Sequence, residues 1–222
     1  ALCSLLSFDV SPSEAQRVLA AAEAAVITPK AGDQLRPAIA YGSQGDAYLV
    51  AWEDTYWGAA DIYGRRIGAD GTPVGPEFPI SWENANARKR PALAYNPAAD
   101  EYLAVWAYTY SATDDDIYAR RIAGDGTLIG DEIAIATTVD VEGQPDVAYN
   151  AAADEYFIVW DCLEGADEFT QYNLYGRRLD ADGTLLGMPT TIADSSRNEM
   201  APAVAYSGDG NQFLVVWQGR QP

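Results

Sequence analysis

At 222 residues with 48% hydrophobic side chains, the chain can bury a sizeable core, and wholesale disorder is excluded. Its 33 acidic against 14 basic residues, a formal net charge of -19, exclude a nucleic-acid surface and adsorption on anionic lipid, since both need clustered Lys and Arg. The absence of histidine removes Ser-His-Asp and Cys-His nucleophile arrangements and every His-containing metal site, and no stretch reaches the ~18 apolar residues of a membrane span.

In chain order, residues 1–30 form a segment of their own. Residues 5–10 read as a strand. Ser11, Pro12 and Glu14 read as the N-cap, first and third positions of a capping box, and the alanine-rich run 15–24 continues as a short helix. Residues 25–29 read as a second strand. The two cysteines, Cys3 and Cys162, are either a disulfide, which requires an oxidising compartment, or two unrelated thiols.

The repeat domain spans 31–222. A Pro-x-x-Ala-Tyr motif begins at Pro37, Pro91, Pro145 and Pro202. Tyrosines follow at Tyr41, Tyr95, Tyr149 and Tyr206, further aromatics at Tyr48, Tyr102, Tyr156 and Phe213, and tryptophans at Trp52, Trp106, Trp160 and Trp217. Four marks held in phase four times establish an internal repeat of about 54 residues, the signature of a stacked or radial architecture. The second half of the unit carries Tyr63, Tyr118 and Tyr175 ahead of the pairs Arg65-Arg66, Arg120-Arg121 and Arg177-Arg178, then Asp-Gly-Thr from Asp70, Asp125 and Asp182. In the second unit, strands are expected over 91–95, 101–108, 117–122 and 131–136, with Asp-Gly turning the last hairpin because glycine takes positive φ at no steric cost. Four short strands per unit predict an all-β fold, a four-bladed β-propeller; a sandwich or solenoid of the same units is the alternative. The fourth unit ends after two strands. The segment 1–30 is expected to complete it, in its own chain or in a neighbour's.

The connections between second and third strands vary in length and share one face. They hold Asp54, Tyr56 and Trp57; Tyr108, Tyr110, Asp114, Asp115 and Asp116; and Asp167, Glu168 and Tyr172. Aromatics beside carboxylates suit sugar stacking, and carboxylate clusters suit Ca²⁺; solvated acidic loops are the plain alternative. The Arg pairs are expected to point one guanidinium toward each flanking sheet, because adjacent strand residues face opposite ways.

The pattern Pro-x-x-Ala-Tyr-Asn, Tyr-Leu-x-Val-Trp, Ile-Tyr-x-Arg-Arg-Ile and Asp-Gly-Thr resembles repeats of bacterial secreted and surface β-propeller-type proteins, over 37–218. The resemblance implies an exported propeller and no specific activity. Three functions stand open. The expected one is a non-catalytic, extracellular or cell-surface structural module, self-assembling or bound to another surface protein, with no cofactor. The second is a glycan- or Ca²⁺-dependent binding propeller. The third is a glycosidase, for which only Asp146 among the four innermost strands offers a carboxylate, with no acid–base pair apparent.

Overall fold

The structure is a computed structural model, and it describes residues 28, 31–82, 86–164 and 171–220. The strand–helix–strand reading of the first thirty residues, Cys3, Asp167 and Glu168 fall outside them. The described residues form fourteen antiparallel strands arranged as propeller blades. The first blade is β1 (Gln34–Gly42), β2 (Ala47–Asp54), β3 (Asp61–Gly68) and β4 (Pro73–Ser81). The second is β5 (Arg88–Asn96), β6 (Glu101–Ser111), β7 (Asp114–Ala123) and β8 (Leu128–Ala136). The third is β9 (Val141–Asn150), β10 (Glu155–Glu164), β11 (Gln171–Asp180) and β12 (Leu185–Ala193). The fourth has two strands among the described residues, β13 (Asn198–Ser207) and β14 (Gln212–Arg220).

The repeated residues have distinct jobs. Each tryptophan of a four-stranded blade sits directly opposite the tyrosine of the third strand: Trp52 and Tyr63, Trp106 and Tyr118, Trp160 and Tyr175. Those three indoles are 3%, 0% and 2% exposed, whereas Trp217, with no third strand beside it among the described residues, is 42% exposed. The Asp-Gly-Thr turns put Gly71, Gly126 and Gly183 at φ 84°, 94° and 95°, where a side chain is strained. They are self-capped: Asp70 and Asp125 accept from the amides of Thr72 and Thr127.

The Arg pairs divide as expected, one toward each neighbour. Arg120 and Arg177 donate to the Ile80 and Ile135 carbonyls of the preceding blade. Arg121 bonds Glu101 at home and reaches forward to the Asp182 carbonyl of the next blade. Guanidinium groups with several fixed donors suit such carbonyl bridging.

Two strands run further than their sequence suggests. Asp115 and Asp116, read as loop residues, pair with Thr109 and Tyr108 within the β6–β7 ladder. Main-chain pairing is satisfied there whatever the side chains are, so the hairpin simply continues.

The inner strands β1, β5, β9 and β13 pack side by side in that order, and each carries the same irregularity. Arg36, Arg90, Gln144 and Ala201, each preceding the repeated proline, adopt the left-handed conformation with φ 49°, 55°, 46° and 52°. The ladder shifts register at these points. Proline has no amide hydrogen to donate, so a bulge lets pairing resume beyond it.

The repeat predicts unequal costs for one substitution. Trp106→Ala should cost about 3–5 kcal/mol in urea denaturation, as for a large buried aromatic. Trp217→Ala should cost less than about half of that, and equal losses would contradict the packing described.

Candidate functional site

The four bulges surround one cavity of about 470 Å³, lined by Arg36, Arg90, Gln144 and Ala201, the prolines after them, and Asp146. Because it is bounded by all four inner strands, it lies on the propeller axis. Two further carboxyl groups stand immediately behind this lining. Glu53 and Asp161 each follow the repeated tryptophan, and they are 2% and 1% exposed.

Each captures the amide freed by a neighbouring bulge. Glu53 accepts from the Arg90 amide at 2.6 Å, and Asp161 from the Ala201 amide at 2.8 Å. Both oxygens of Glu53 also accept from Nη1 of Arg36, at 2.9 and 2.7 Å, in an ion pair. Asp161 accepts from the Gln144 side chain at 2.5 Å. Asp146, on β9, accepts from the Val204 amide of the next blade at 2.7 Å. In the second blade the position after tryptophan is Ala107, so the carboxyl groups come from alternate blades.

Burial raises the Asp161 carboxyl above the ordinary range, against the pull of the Ala201 amide, Gln144 and Arg90. Burial raises Asp146 likewise, opposed by the amides of Val204 and Val147. One carboxyl group thus lies in the cavity lining and two behind it: Asp146 and Asp161 are biased toward their protonated form, and Glu53 is bound by a guanidinium. Sets of carboxyl groups in contrasting environments are what acid–base chemistry on a glycoside requires. Asp146 lines the cavity from an innermost strand, and Glu53 and Asp161 stand behind that lining on the second strands.

The sequence-predicted loop residues are not brought together. Tyr56 and Trp57 are exposed and stack edge to face. Asp54 is buried, accepting from the Trp52 indole and the Tyr56 amide. Tyr108 packs under the Arg88 guanidinium and against Tyr118, while Tyr110 is exposed. Burial, then Asp114 and Asp115, pushes Asp116 up to about 6. Tyr172 lies half-buried beside Asn198. None of these residues lines the axial cavity. Among the described residues no three carboxylates or thiols gather to hold a metal ion. Cys162 is buried and forms no disulfide among the described residues.

No protein-family profile and no curated protein sequence matches the chain. Solved structures do. An endo-arabinase from Bacteroides thetaiotaomicron superposes with TM-score 0.56 at 15% identity, over 86% of this chain and 74% of that one. An alpha-L-arabinofuranosidase from Lactobacillus brevis gives 0.54 at 14% identity, over 84% and 63%. An N-acetylgalactosamine deacetylase from F. plautii, in complex with blood group B trisaccharide, gives 0.59 at 12% identity, over 85% and 63%. The chain shares their fold. It spans between 63% and 74% of the length of these three proteins.

The chain is therefore a β-propeller. The likeness is to five-bladed propellers, so the expected count of four blades draws no support from it. The expectation of a non-catalytic structural or self-assembling module, and of no enzyme, is overturned. The finding that overturns it is the likeness to solved propellers that include an endo-arabinase, an alpha-L-arabinofuranosidase and an N-acetylgalactosamine deacetylase.

Glu142 is another buried carboxyl group, away from the axial cavity. Glu142, 1% exposed, accepts from the Thr138 hydroxyl at 2.6 Å, and burial pushes its carboxyl up to about 7. A carboxyl raised on folding stabilises fully below its unfolded value, near 4.5, and that contribution is lost as pH rises through 7. Glu142→Gln should therefore raise stability at pH 8 by about 2 kcal/mol in denaturant titrations, with the gain vanishing near pH 4.5. A gain independent of pH would show that ionisation is not the cause.

Proposed function

We propose that the chain is a glycoside-processing propeller that takes its substrate at the axial mouth. The observation that carries this reading is the trio Glu53, Asp146 and Asp161, held at and behind the axial lining by amides of adjoining blades and, for Glu53, by Arg36 of its own blade. The solved structures that share the fold support it, because they include an endo-arabinase, an arabinofuranosidase and an exo-beta-1,3-galactanase. Arabino- and galacto-configured glycans are accordingly the substrate class to try first. An exported location fits such polymers and the acidic composition.

In this reading Asp161 is the proton donor. Its carboxyl, raised by burial, gives a proton to the glycosidic oxygen as the bond from that oxygen to the anomeric carbon breaks. A water adds to the anomeric carbon and passes its proton to Glu53, which Arg36 holds in place. Asp146 and the Arg90 guanidinium orient the sugar hydroxyls. No cofactor enters the scheme.

The test is release of reducing sugar from α-1,5-arabinan and β-1,3-galactan, with nitrophenyl arabinofuranoside as a second substrate. Asp161→Asn should lower kcat about 10²-fold or more with a small effect on KM, as for loss of a general acid. The rate should fall as pH rises through the raised value of Asp161, so the alkaline limb lies above the ordinary aspartate range. No turnover of any of these substrates, or turnover unaffected by Asp161→Asn, would refute the assignment.

A further inference from the structure

The repeat supplies its own comparison for each junction between blades. Between the first and second blades the outer part of the junction is filled. Trp82 lies under the Arg120 guanidinium at 5.7 Å, and Arg88 lies over the Tyr108 ring at 4.9 Å. Tyr108 packs on both Tyr110 and Tyr118. Ser81 joins Glu132 and Arg88 through hydrogen bonds of 2.5 and 2.6 Å.

At the junction of the second and third blades the matching residues differ. Thr137 stands in the place of Trp82, Glu142 of Arg88, Cys162 of Tyr108, Glu164 of Tyr110 and Pro189 of Glu132. The aromatic filling is gone, and a cavity of about 350 Å³ takes its place, walled by Trp160 and Tyr175, which stack at 25° between ring planes. That is space for about ten water molecules or one small organic molecule.

The charge of this space is one-sided. Asp140, Glu142 and Glu164 line it, with Asp116 near Glu142 on β7, and burial followed by these carboxylates raises the Cys162 thiol. The cation in the lining, Arg177, gives its donors to the carbonyls of Ile135 and Gly187. Glu164 is satisfied by the Tyr175 hydroxyl and the Asn173 amide. Glu142 is not: its Oε2 is buried and has no hydrogen-bond partner among the described residues. A buried carboxylate oxygen without a donor is costly and calls for one.

We propose that this cavity binds a small organic cation, an aliphatic primary amine or diamine, whose ammonium group donates to Glu142 and whose methylene stem lies on the Trp160–Tyr175 wall. An ammonium brings three donors and no acceptor, which matches a lining of acceptors, and the aromatic faces attract its charge. A neutral diol of the same length lacks the charge, and an anion is repelled. The site is separate from the axial cavity and does not rest on the glycosidase reading.

The two methionines make a direct test, because Met188 lines this cavity and Met200 lies on β13. The full chain labelled with ¹³C-methyl methionine is titrated with 1,4-diaminobutane at pH 8, with 1,4-butanediol as the neutral control. The Met188 methyl resonance should move saturably while Met200 stays still, and butanediol should move neither. Glu142→Gln should weaken the affinity about tenfold or more, the usual worth of a charge-assisted pair. Cys162→Tyr, which restores the ring found in the second blade, should abolish the shift. Affinity should fall toward pH 5.5, where Glu142 takes up its proton. A Met188 resonance unmoved by the diamine, moved equally by the diol, or moved unchanged in both variants would overturn the proposal.

Discussion

Arg36, Arg90, Gln144 and Ala201 each sit in the left-handed region immediately before a proline, a place where side chains and the following ring both disfavour that conformation. Such residues cost about 1–3 kcal/mol each and persist only where the surroundings hold them. Here the surroundings are other blades. Glu53 holds the Arg90 amide, and Asp161 holds the Ala201 amide. One constraint therefore does two things: it ties blade to blade around the axis, and it draws carboxyl groups into a buried position beside the channel. The ring and the candidate site have the same origin.

Because the units are copies of one plan, their differences carry information. Where the position after tryptophan is Ala107, the second blade contributes no carboxyl group to the axis. Where Tyr108 gives way to Cys162, a filled junction becomes a cavity. Both changes leave the strands untouched, since the framework rests on tryptophan–tyrosine pairs, glycine turns and arginine-to-carbonyl bridges that recur in each four-stranded blade. A scaffold fixed by recurring contacts leaves the intervening positions free to acquire chemistry.

Much of this architecture is legible in the sequence, for physical reasons. Alternating strands, Asp-Gly turns and in-phase aromatics are local signals, and they predict the β-propeller and the opposite facing of the Arg pairs. The left-handed residues are not legible, because the residue before a proline ordinarily favours an extended conformation. Glu53 and Asp161 read in the sequence as acidic residues of the connecting loops, and their place behind the inner strands is hidden for a related reason. The amides they hold lie about forty residues away, on another blade, and only the side-by-side packing of inner strands brings them together. The acidic connections differ from their reading in another way. Asp114, Asp115 and Asp116 look like a ligand cluster, yet they belong to β7.

The most direct test of the axial site is a crystal structure of the Asp161→Asn chain soaked with an arabinan oligosaccharide. A sugar ring seated among Arg36, Arg90, Gln144 and Asp146, with its glycosidic oxygen facing residue 161, is the predicted result. Oligosaccharide bound instead on the exposed rings of Tyr56, Trp57 or Tyr110, with the axial mouth empty, would contradict the account.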